Sequence, residues 1–150
     1  MTPLTNRNIA DILSDLIQIN ADRISWYEKW IPSLPPEDKD LGAAFESNLR
    51  KSRDLNVFLF EELDDLGMTR AADTGPLYRA WIKAGGQYNS HNRHAVLMNC
   101  ESAEWAVEEI YHHLLDDPLM PGYLKELLGE QVMEREKMRR RITALKTTAL

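Results

Sequence analysis

The sequence has little of what secreted or membrane-inserted proteins depend on. Cys100 is the single cysteine among 150 residues, so no disulfide framework can form and a reducing compartment is expected. No apolar run approaches the ~18–20 residues of a membrane span. The N-terminal residues also lack the basic and then apolar order of a signal peptide. We therefore expect a cytoplasmic protein that does not insert into membranes.

Basic residues are in the minority. Eighteen lysines and arginines stand against 24 aspartates and glutamates, which gives a formal net charge of −6. Phosphate contacts require clustered basic side chains, so general nucleic-acid binding is disfavoured. At this length, with 43% hydrophobic residues, the chain is expected to form a single domain over residues 1–150. Such a domain needs neither a disulfide nor a metal to fold.

Proline and glycine are also scarce, at seven residues each, and they fall mostly in short clusters. Between the clusters, apolar residues recur at spacings of three and four, and no alternating strand pattern occurs. The sequence therefore predicts an all-α protein with four long helices. These are predicted over residues 5–31, from the acidic residues 37–40 up to Gly67, from near Ser90 to before Pro118, and from Pro121 onward.

The connections between these helices predict how they are arranged. The first and third connections are short, so the first two and the last two long helices should form antiparallel hairpins. Residues 67–89 are long enough to travel back along the bundle and contain one short helix, residues 77–84. Two hairpins joined by such a crossover make a ferritin-like four-helix bundle.

Polar side chains interrupt the apolar stripes near the middle of all four long helices. The interrupting positions are Asn20, Arg23, Tyr27, Asn48, Ser52, Asn99, Glu104, Gln131, Glu134 and Arg135. A helical wheel places Asn99, Gln131 and Arg135 centrally and the two glutamates at the boundary. Buried polar groups must be partnered. Three interpretations stay open: a structural layer in which the arginines pair with Glu104 or Glu134, a chamber for a ligand or metal, or exposed helix edges.

A paired-metal site needs a recognisable set of ligands. Bundles that hold two iron or manganese ions use a Glu from each of two helices and a Glu-x-x-His pair from each of the others. The literal match is Glu109 with His112, near the end of the third long helix and without a counterpart. These two residues are weak surface candidates for a metal. Arg23 and Arg135 are instead expected to replace the charge of a metal pair.

Trp105 and the charged residues suggest interaction surfaces. The wheel turns Trp105 away from the core, so either the short helix covers it or it marks a homodimer interface. Acidic residues are expected at one pole of the bundle: Glu61, Glu62, Asp64, Asp65, Asp116 and Asp117. Basic residues are expected at the other pole, near Arg93: Arg139, Arg140, Arg141 and Lys146. Such a polarised rod could associate head to tail or engage a charged partner.

Several short segments resemble a known family. They are residues 16–23 (Leu-Ile-Gln-Ile-Asn-Ala-Asp-Arg), 27–28 (Tyr-Glu), 77–81 (Leu-Tyr-Arg-Ala-Trp), 99–104 (Asn-Cys-Glu-Ser-Ala-Glu) and 142–145 (Ile-Thr-Ala-Leu). Their order and spacing resemble a bacterial family of ferritin-like four-helix-bundle proteins described as a domain of unknown function. The resemblance implies the fold, a cytoplasmic setting and a stress-related role. It supplies no active-site residues.

The sequence favours a non-catalytic binding or interaction module, formed as a homodimer and without a cofactor. No catalytic constellation can be assembled from it. The alternative is a di-iron or di-manganese protein or oxidase that uses Glu104 and Glu134. A carrier of a small apolar ligand is a third possibility. The sequence indicates neither the ligand nor the biological process.

Overall fold

The computed structural model describes residues 4–84 and 92–147, with side chains described up to residue 145. These residues form five α-helices and no β-strand, which confirms the all-α prediction. The helices are α1 (Asn6–Ser33), α2 (Lys39–Asp65), α3 (Pro76–Ala84), α4 (Arg93–Leu115) and α5 (Gly122–Thr147). The start near Ser90 that was predicted for the third long helix lies outside the described residues. In the described part of the chain, no helix is long and apolar enough to cross a membrane.

Local capping explains where several helices begin and end. At the start of α1, the Thr5 hydroxyl accepts from the Asn8 backbone N–H at 3.1 Å, and the Asn8 side chain accepts from the Thr5 N–H at 3.0 Å. This reciprocal pair is a capping box. Asn92 caps α4 by accepting from the Ala95 N–H at 2.9 Å. After α2, Gly67 takes a φ of +66°, a left-handed conformation that glycine adopts without a Cβ penalty.

The long helices pack in two pairs, α1 with α2 and α4 with α5, and the pairs meet along α2 and α5. Side-chain contacts fix the directions. Arg23 and Tyr27 of α1 contact Glu104 and Cys100 of α4, respectively, so residue numbers rise on α1 as they fall on α4. These two helices are therefore antiparallel, and α2 runs parallel to α4. The parallel pair is the arrangement that the crossover prediction requires.

The short helix α3 closes one side of the structure. Its Trp81 is completely buried and stacks on Trp26 of α1, with ring centroids 5.0 Å apart. The Trp81 indole N–H donates to the backbone oxygen of Ala103 in α4 at 3.1 Å. Because Trp81 points between α1 and α4, the expectation that this helix covers Trp105 is wrong. Trp105 stays 49% exposed.

A buried carboxylate holds the crossover in place. Asp15 of α1 accepts from the backbone N–H of Gly75 at 2.6 Å and from that of Leu77 at 3.0 Å. The first N–H groups of a helix have no partner within the helix, so Asp15 caps α3 from another element. Ser14 supports the same crossover by accepting from the Ala71 N–H at 2.9 Å.

The predicted charged poles are partly correct. Because α2 and α4 are parallel, their acidic C-terminal ends lie at the same pole, and Arg93 pairs with Asp38 at the opposite pole. The prediction placed Arg139 near Arg93, and this is wrong. Arg139 pairs with Glu108, and Glu108 lies fifteen residues after Arg93 on α4, about 22 Å along the helix axis. By residue 139, α5 has run only part of the way back along α4. The side chain of Lys146 lies outside the described residues.

Two glycine substitutions test the crossover anchor. A Cβ at Gly75 would lie 2.6 Å from an Asp15 carboxylate oxygen, so Gly75→Ala is expected to displace the carboxylate and lower the free energy of unfolding by about 1–3 kcal/mol. Gly42→Ala is the control, because a Cβ there meets nothing within 4 Å. In the interior of α2 this change should raise the free energy of unfolding by about 0.5–1 kcal/mol. Urea unfolding measures both free energies. If the two substitutions changed the free energy of unfolding equally, Asp15 would not anchor the crossover through Gly75.

Candidate functional site

A buried ion pair lies between α1 and α4. Arg23 donates from Nε to Glu104 Oε1 and from Nη2 to Glu104 Oε2, each at 2.7 Å. Both side chains are almost fully buried. A planar guanidinium matches a carboxylate in this two-point geometry, which fixes the orientation of both groups. Arg23 is thus paired with Glu104, one of the two glutamates that the sequence analysis predicted as its partner.

Helix α2 completes the contacts of Arg23. The third guanidinium nitrogen, Nη1, donates to Asn20 Oδ1 at 2.6 Å and to Ser52 Oγ at 3.2 Å. Asn20 in turn donates to the backbone oxygen of Ser52. Every nitrogen of this guanidinium therefore has an acceptor, although the group is buried. Such full satisfaction is what allows a charged group to persist in an interior.

Tyr27 and Cys100 surround the same carboxylate. The Tyr27 hydroxyl donates to Glu104 Oε1 at 2.9 Å, accepts from Asn48 Nδ2 at 3.0 Å and lies 3.3 Å from Cys100 Sγ. Burial, more than any other cause, raises the pKa of Tyr27 and the pKa of the Cys100 thiol. Both groups are therefore neutral near pH 7. A thiol attacks as its thiolate, so Cys100 is a poor nucleophile in this position.

Arg135 of α5 is buried beside this network without an equivalent set of partners. Arg135 is only 1% exposed, and its Nη1 lies 3.5 Å from Ser52 Oγ, a long contact. Its Nε is buried and has no hydrogen-bond partner among the described residues. Among the described side chains, no carboxylate forms an ion pair with it. Burial and then the charge of Arg23 lower the pKa of Arg135.

The arginines and Glu104 therefore form a buried cluster with a surplus positive charge. Two guanidinium charges and one carboxylate charge leave a net charge of +1. Glu104 attracts Arg135 electrostatically, but its two oxygens already accept from Arg23 and Tyr27. We call Arg23, Glu104 and Arg135 the arginine cluster. Its unsatisfied donor is on Arg135.

A groove between α2 and α5 is lined in part by Arg135. The groove has a volume of about 580 Å³ and is lined by Arg135 and Lys51, by the apolar side chains of Leu55, Phe58 and Leu127, and by five carboxylates: Asp54, Glu62, Glu126, Glu130 and Glu134. Sites for small molecules have volumes of roughly 300–1,000 Å³, mostly apolar walls and a few polar groups. Within the described part of the chain, α3 fills the space between α1 and α4, whereas no helix covers this groove.

The structure brings together most of the predicted polar layer. Seven of its ten residues are buried in or beside the arginine cluster: Asn20, Arg23, Tyr27, Asn48, Ser52, Glu104 and Arg135. Gln131 and Glu134 instead line the groove. Lys51 donates to Glu134 at 3.1 Å and thereby lowers the pKa of that carboxyl. The interpretation that each arginine pairs with a glutamate is therefore wrong for Arg135.

The helical wheel misplaced two residues of α4. Asn99, predicted to be central, is half-buried, whereas Glu104, predicted at the boundary, is 1% exposed. The reason is that α4 buries a second face against α3, so its buried arc is wider than one apolar stripe. The wheel also missed Tyr111, which lies seven residues after Glu104 on the same face and is buried. Burial raises the pKa of Tyr111, against the opposing charges of Arg135 and Arg23.

The described side chains do not fit a paired-metal site. They include no group of three or more His, Cys, Asp or Glu residues that could hold a metal ion. Glu104 and Glu134 are held by different partners, Arg23 and Lys51. The surface candidates are also separate, because the exposed His112 lies 3.6 Å from Glu136 of α5 and Glu109 is exposed on α4.

Comparisons of the chain with protein-family models, with curated proteins and with solved structures find no match. Functional inference therefore rests on the chemistry of the arginine cluster and the groove. Tyr27 and Cys100 are held neutral, and Glu104 is held by charge-assisted hydrogen bonds. The cluster therefore holds a fixed positive charge and, on Arg135 beside the groove, a buried N–H donor that has no partner among the described residues. A guanidinium of this kind hydrogen-bonds an anion or another acceptor when one is available.

Replacing each of two arginines by leucine tests the buried pair. Arg23→Leu leaves Glu104 as a buried carboxylate without its ion-pair partner, so we expect the free energy of unfolding to fall by about 3–5 kcal/mol. Arg53→Leu is the control, because Arg53 is exposed and pairs with the exposed Glu28 at 3.6 Å. An exposed pair contributes at most about 1 kcal/mol. Similar unfolding midpoints for the two variants in urea would show that Arg23 is not a buried, partnered group.

Proposed function

We propose that this protein is a ferritin-like four-helix bundle that acts as a non-catalytic module for binding a small molecule. The observation that carries the proposal is Arg135, a buried cation without an ion-pair partner among the described residues, at the groove between α2 and α5. The cytoplasmic, stress-related setting that the resemblance implies belongs to the same proposal. So does a homodimer in which the exposed Trp105 lies at the interface.

The energetics of buried charge support a ligand at Arg135. An unpaired buried charge destabilises a fold, and an unsatisfied buried donor costs about 1–3 kcal/mol. A ligand that brings an acceptor to the guanidinium removes this cost. Part of its binding free energy therefore comes from giving the Arg135 donor a hydrogen-bond partner. Arg23 has no such need, because Glu104, Asn20 and Ser52 accept from all its nitrogens.

The state of the other buried groups supports binding over catalysis. General acid–base and nucleophilic catalysis need a group whose pKa lies near the working pH. The pKa values of Tyr27, Cys100 and Tyr111 are all raised by burial, away from neutrality. The arginine cluster can position and neutralise an acceptor, but it offers no group ready to exchange a proton.

The helix arrangement supports the ferritin-like assignment. Two antiparallel pairs, α1 with α2 and α4 with α5, are connected by a segment that returns the chain along their length and contains α3. Ferritin-like folds have one such long crossover. The polar layer also lies among the middle turns of the long helices, where members of this fold class build their sites on facing helices.

A fluorescent anion tests the proposal. Anilinonaphthalene sulfonate has an acidic group and an apolar ring system, and we expect it to bind in the groove with enhanced fluorescence. Arg135→Gln should weaken its binding at least about tenfold, which corresponds to ~1.4 kcal/mol. Arg140→Gln is the matched control, because Arg140 is an exposed residue of the same helix. Its dissociation constant should stay close to that of the unchanged protein.

Two outcomes would overturn this proposal. One is equal binding of the dye to the Arg135 and Arg140 variants, since binding would then be independent of the buried guanidinium. The other is near-stoichiometric iron or manganese in protein purified without a chelator or a histidine tag, which would favour the dimetal alternative. Circular dichroism of each variant establishes that a loss of binding does not reflect a loss of fold.

A further inference from the structure

The outward face of α5 carries charges of opposite sign in its two halves. Glu126 and Glu130 lie in the first half, Lys137 and Arg140 lie in the second, and all four are exposed. Met133 lies between the two pairs and is 61% exposed, more than any other large apolar side chain that the structure describes. Because neighbours on one helix face recur every three or four residues, these five residues form one continuous row. We call this row the α5 stripe.

The charges of the α5 stripe are not neutralised within their own helix. Among the described side chains, none of the four forms an ion pair. The two glutamates are four residues apart and the two cations are three apart, spacings at which like charges repel. Glu130 and Lys137 are seven residues apart, about 10 Å along the axis, which is too far for an ion pair. The nearer Glu134 is already paired with Lys51.

Two further features of α5 favour a neighbouring helix at this face. Helix-end charges act within the first and last turns, so the dipole of α5, which spans Gly122–Thr147, explains neither Glu130 nor Lys137. Gly129 lies one turn before Met133, and a Cβ there would meet nothing within 4 Å. No contact within the described chain therefore requires glycine at this position, although glycine destabilises a helix interior. Its missing side chain leaves room for a second helix to approach closely.

The order of charges along the α5 stripe is complementary to itself when the direction is reversed. If a second copy lies antiparallel with Met133 opposite Met133, Glu126 comes opposite Arg140, because both are seven residues from Met133. Glu130 and Lys137 are three and four residues from Met133, so they come within about 1.5 Å of the same level. A two-fold axis makes each contact twice. The arrangement therefore opposes every charge of the stripe with one of the other sign and covers both methionines.

We propose that the partner of the α5 stripe is a second copy of this chain, bound antiparallel about a two-fold axis at Met133. This inference rests on the proposed function, which includes a homodimer, and adds the surface, direction and register of the dimer. Trp105 borders the same surface, because Arg139 of α5 donates to Glu108, three residues after Trp105 on α4. It therefore lies beside the basic end of the stripe, which faces the acidic end of the second copy.

Exchanging charges tests the register by sedimentation equilibrium at low ionic strength. Glu126→Arg sets like charges opposite each other at both symmetry-related contacts, and so does Arg140→Glu. Each variant should dimerise at least about tenfold more weakly than the unchanged protein. An equimolar mixture of the two variants should form a heterodimer, because both contacts then join opposite charges. Glu46→Arg is the matched control, since Glu46 is an exposed residue of α2, and its dimer should be unchanged.

Cross-linking tests the position of the axis. Met133→Cys should form a disulfide-linked dimer on mild oxidation, because the two copies of residue 133 meet at the axis. Tyr123→Cys is the control. Tyr123 is also exposed on α5, but it lies ten residues from the axis, which places its two copies about 30 Å apart. Cys100 is buried and does not compete.

The outcomes separate this inference from the function on which it rests. If neither charge variant weakens the dimer but Trp105→Ser does, the α5 stripe is overturned and the homodimer stands. Equal cross-linking at residues 123 and 133, or failure of the mixed variants to associate, overturns the antiparallel register. If the unchanged protein is a monomer at every concentration, the stripe and the homodimer both fail. Binding at Arg135 is judged separately by the fluorescent anion.

Discussion

Two buried guanidiniums, those of Arg23 and Arg135, lie near a single buried carboxylate, that of Glu104, and the rest of the structure depends on its pairing with Arg23 alone. Glu104 gives both of its oxygens to Arg23 and shares one of them with Tyr27. This contact joins α1 to α4, and Ser52 and Asn48 extend it to α2. The ion pair is thus the central link between helices. Arg135 remains without an ion-pair partner among the described side chains.

The short helix determines which side of the bundle is accessible. Trp81 inserts between α1 and α4 and stacks on Trp26, and the buried Asp15 caps the helix that carries it. Both contacts stabilise the closed side. The opposite side, between α2 and α5, keeps a groove of about 580 Å³ that Arg135 helps to line. The same crossover that reverses the chain direction therefore closes one side of the bundle and leaves the groove on the other side open, which links the fold to the proposed binding site.

The fold and most of the candidate site follow from local patterns in the sequence. Apolar spacing predicts the long helices, and polar interruptions of those stripes identify Arg23 and Arg135. Single-helix periodicity cannot show which partner each arginine reaches, because that depends on the offset between helices, so the unpaired state of Arg135 was not predictable. It also assumes one buried face per helix, and α4 buries two, which explains the errors at Asn99 and Glu104. Asp15 was missed because its partners are backbone groups sixty or more residues away.

The central claim is that the fold itself does not use the charge of Arg135. The most direct measurement is the free energy of unfolding of Arg135→Met in the absence of ligand, since methionine retains apolar bulk and removes the guanidinium. If Arg135 is held for a ligand, the variant should be at least as stable as the unchanged protein, as when buried ionic groups are replaced by apolar ones. A loss of about 3–5 kcal/mol, the effect of breaking a buried pair, would contradict the claim, because it would mean that the fold already satisfies this guanidinium.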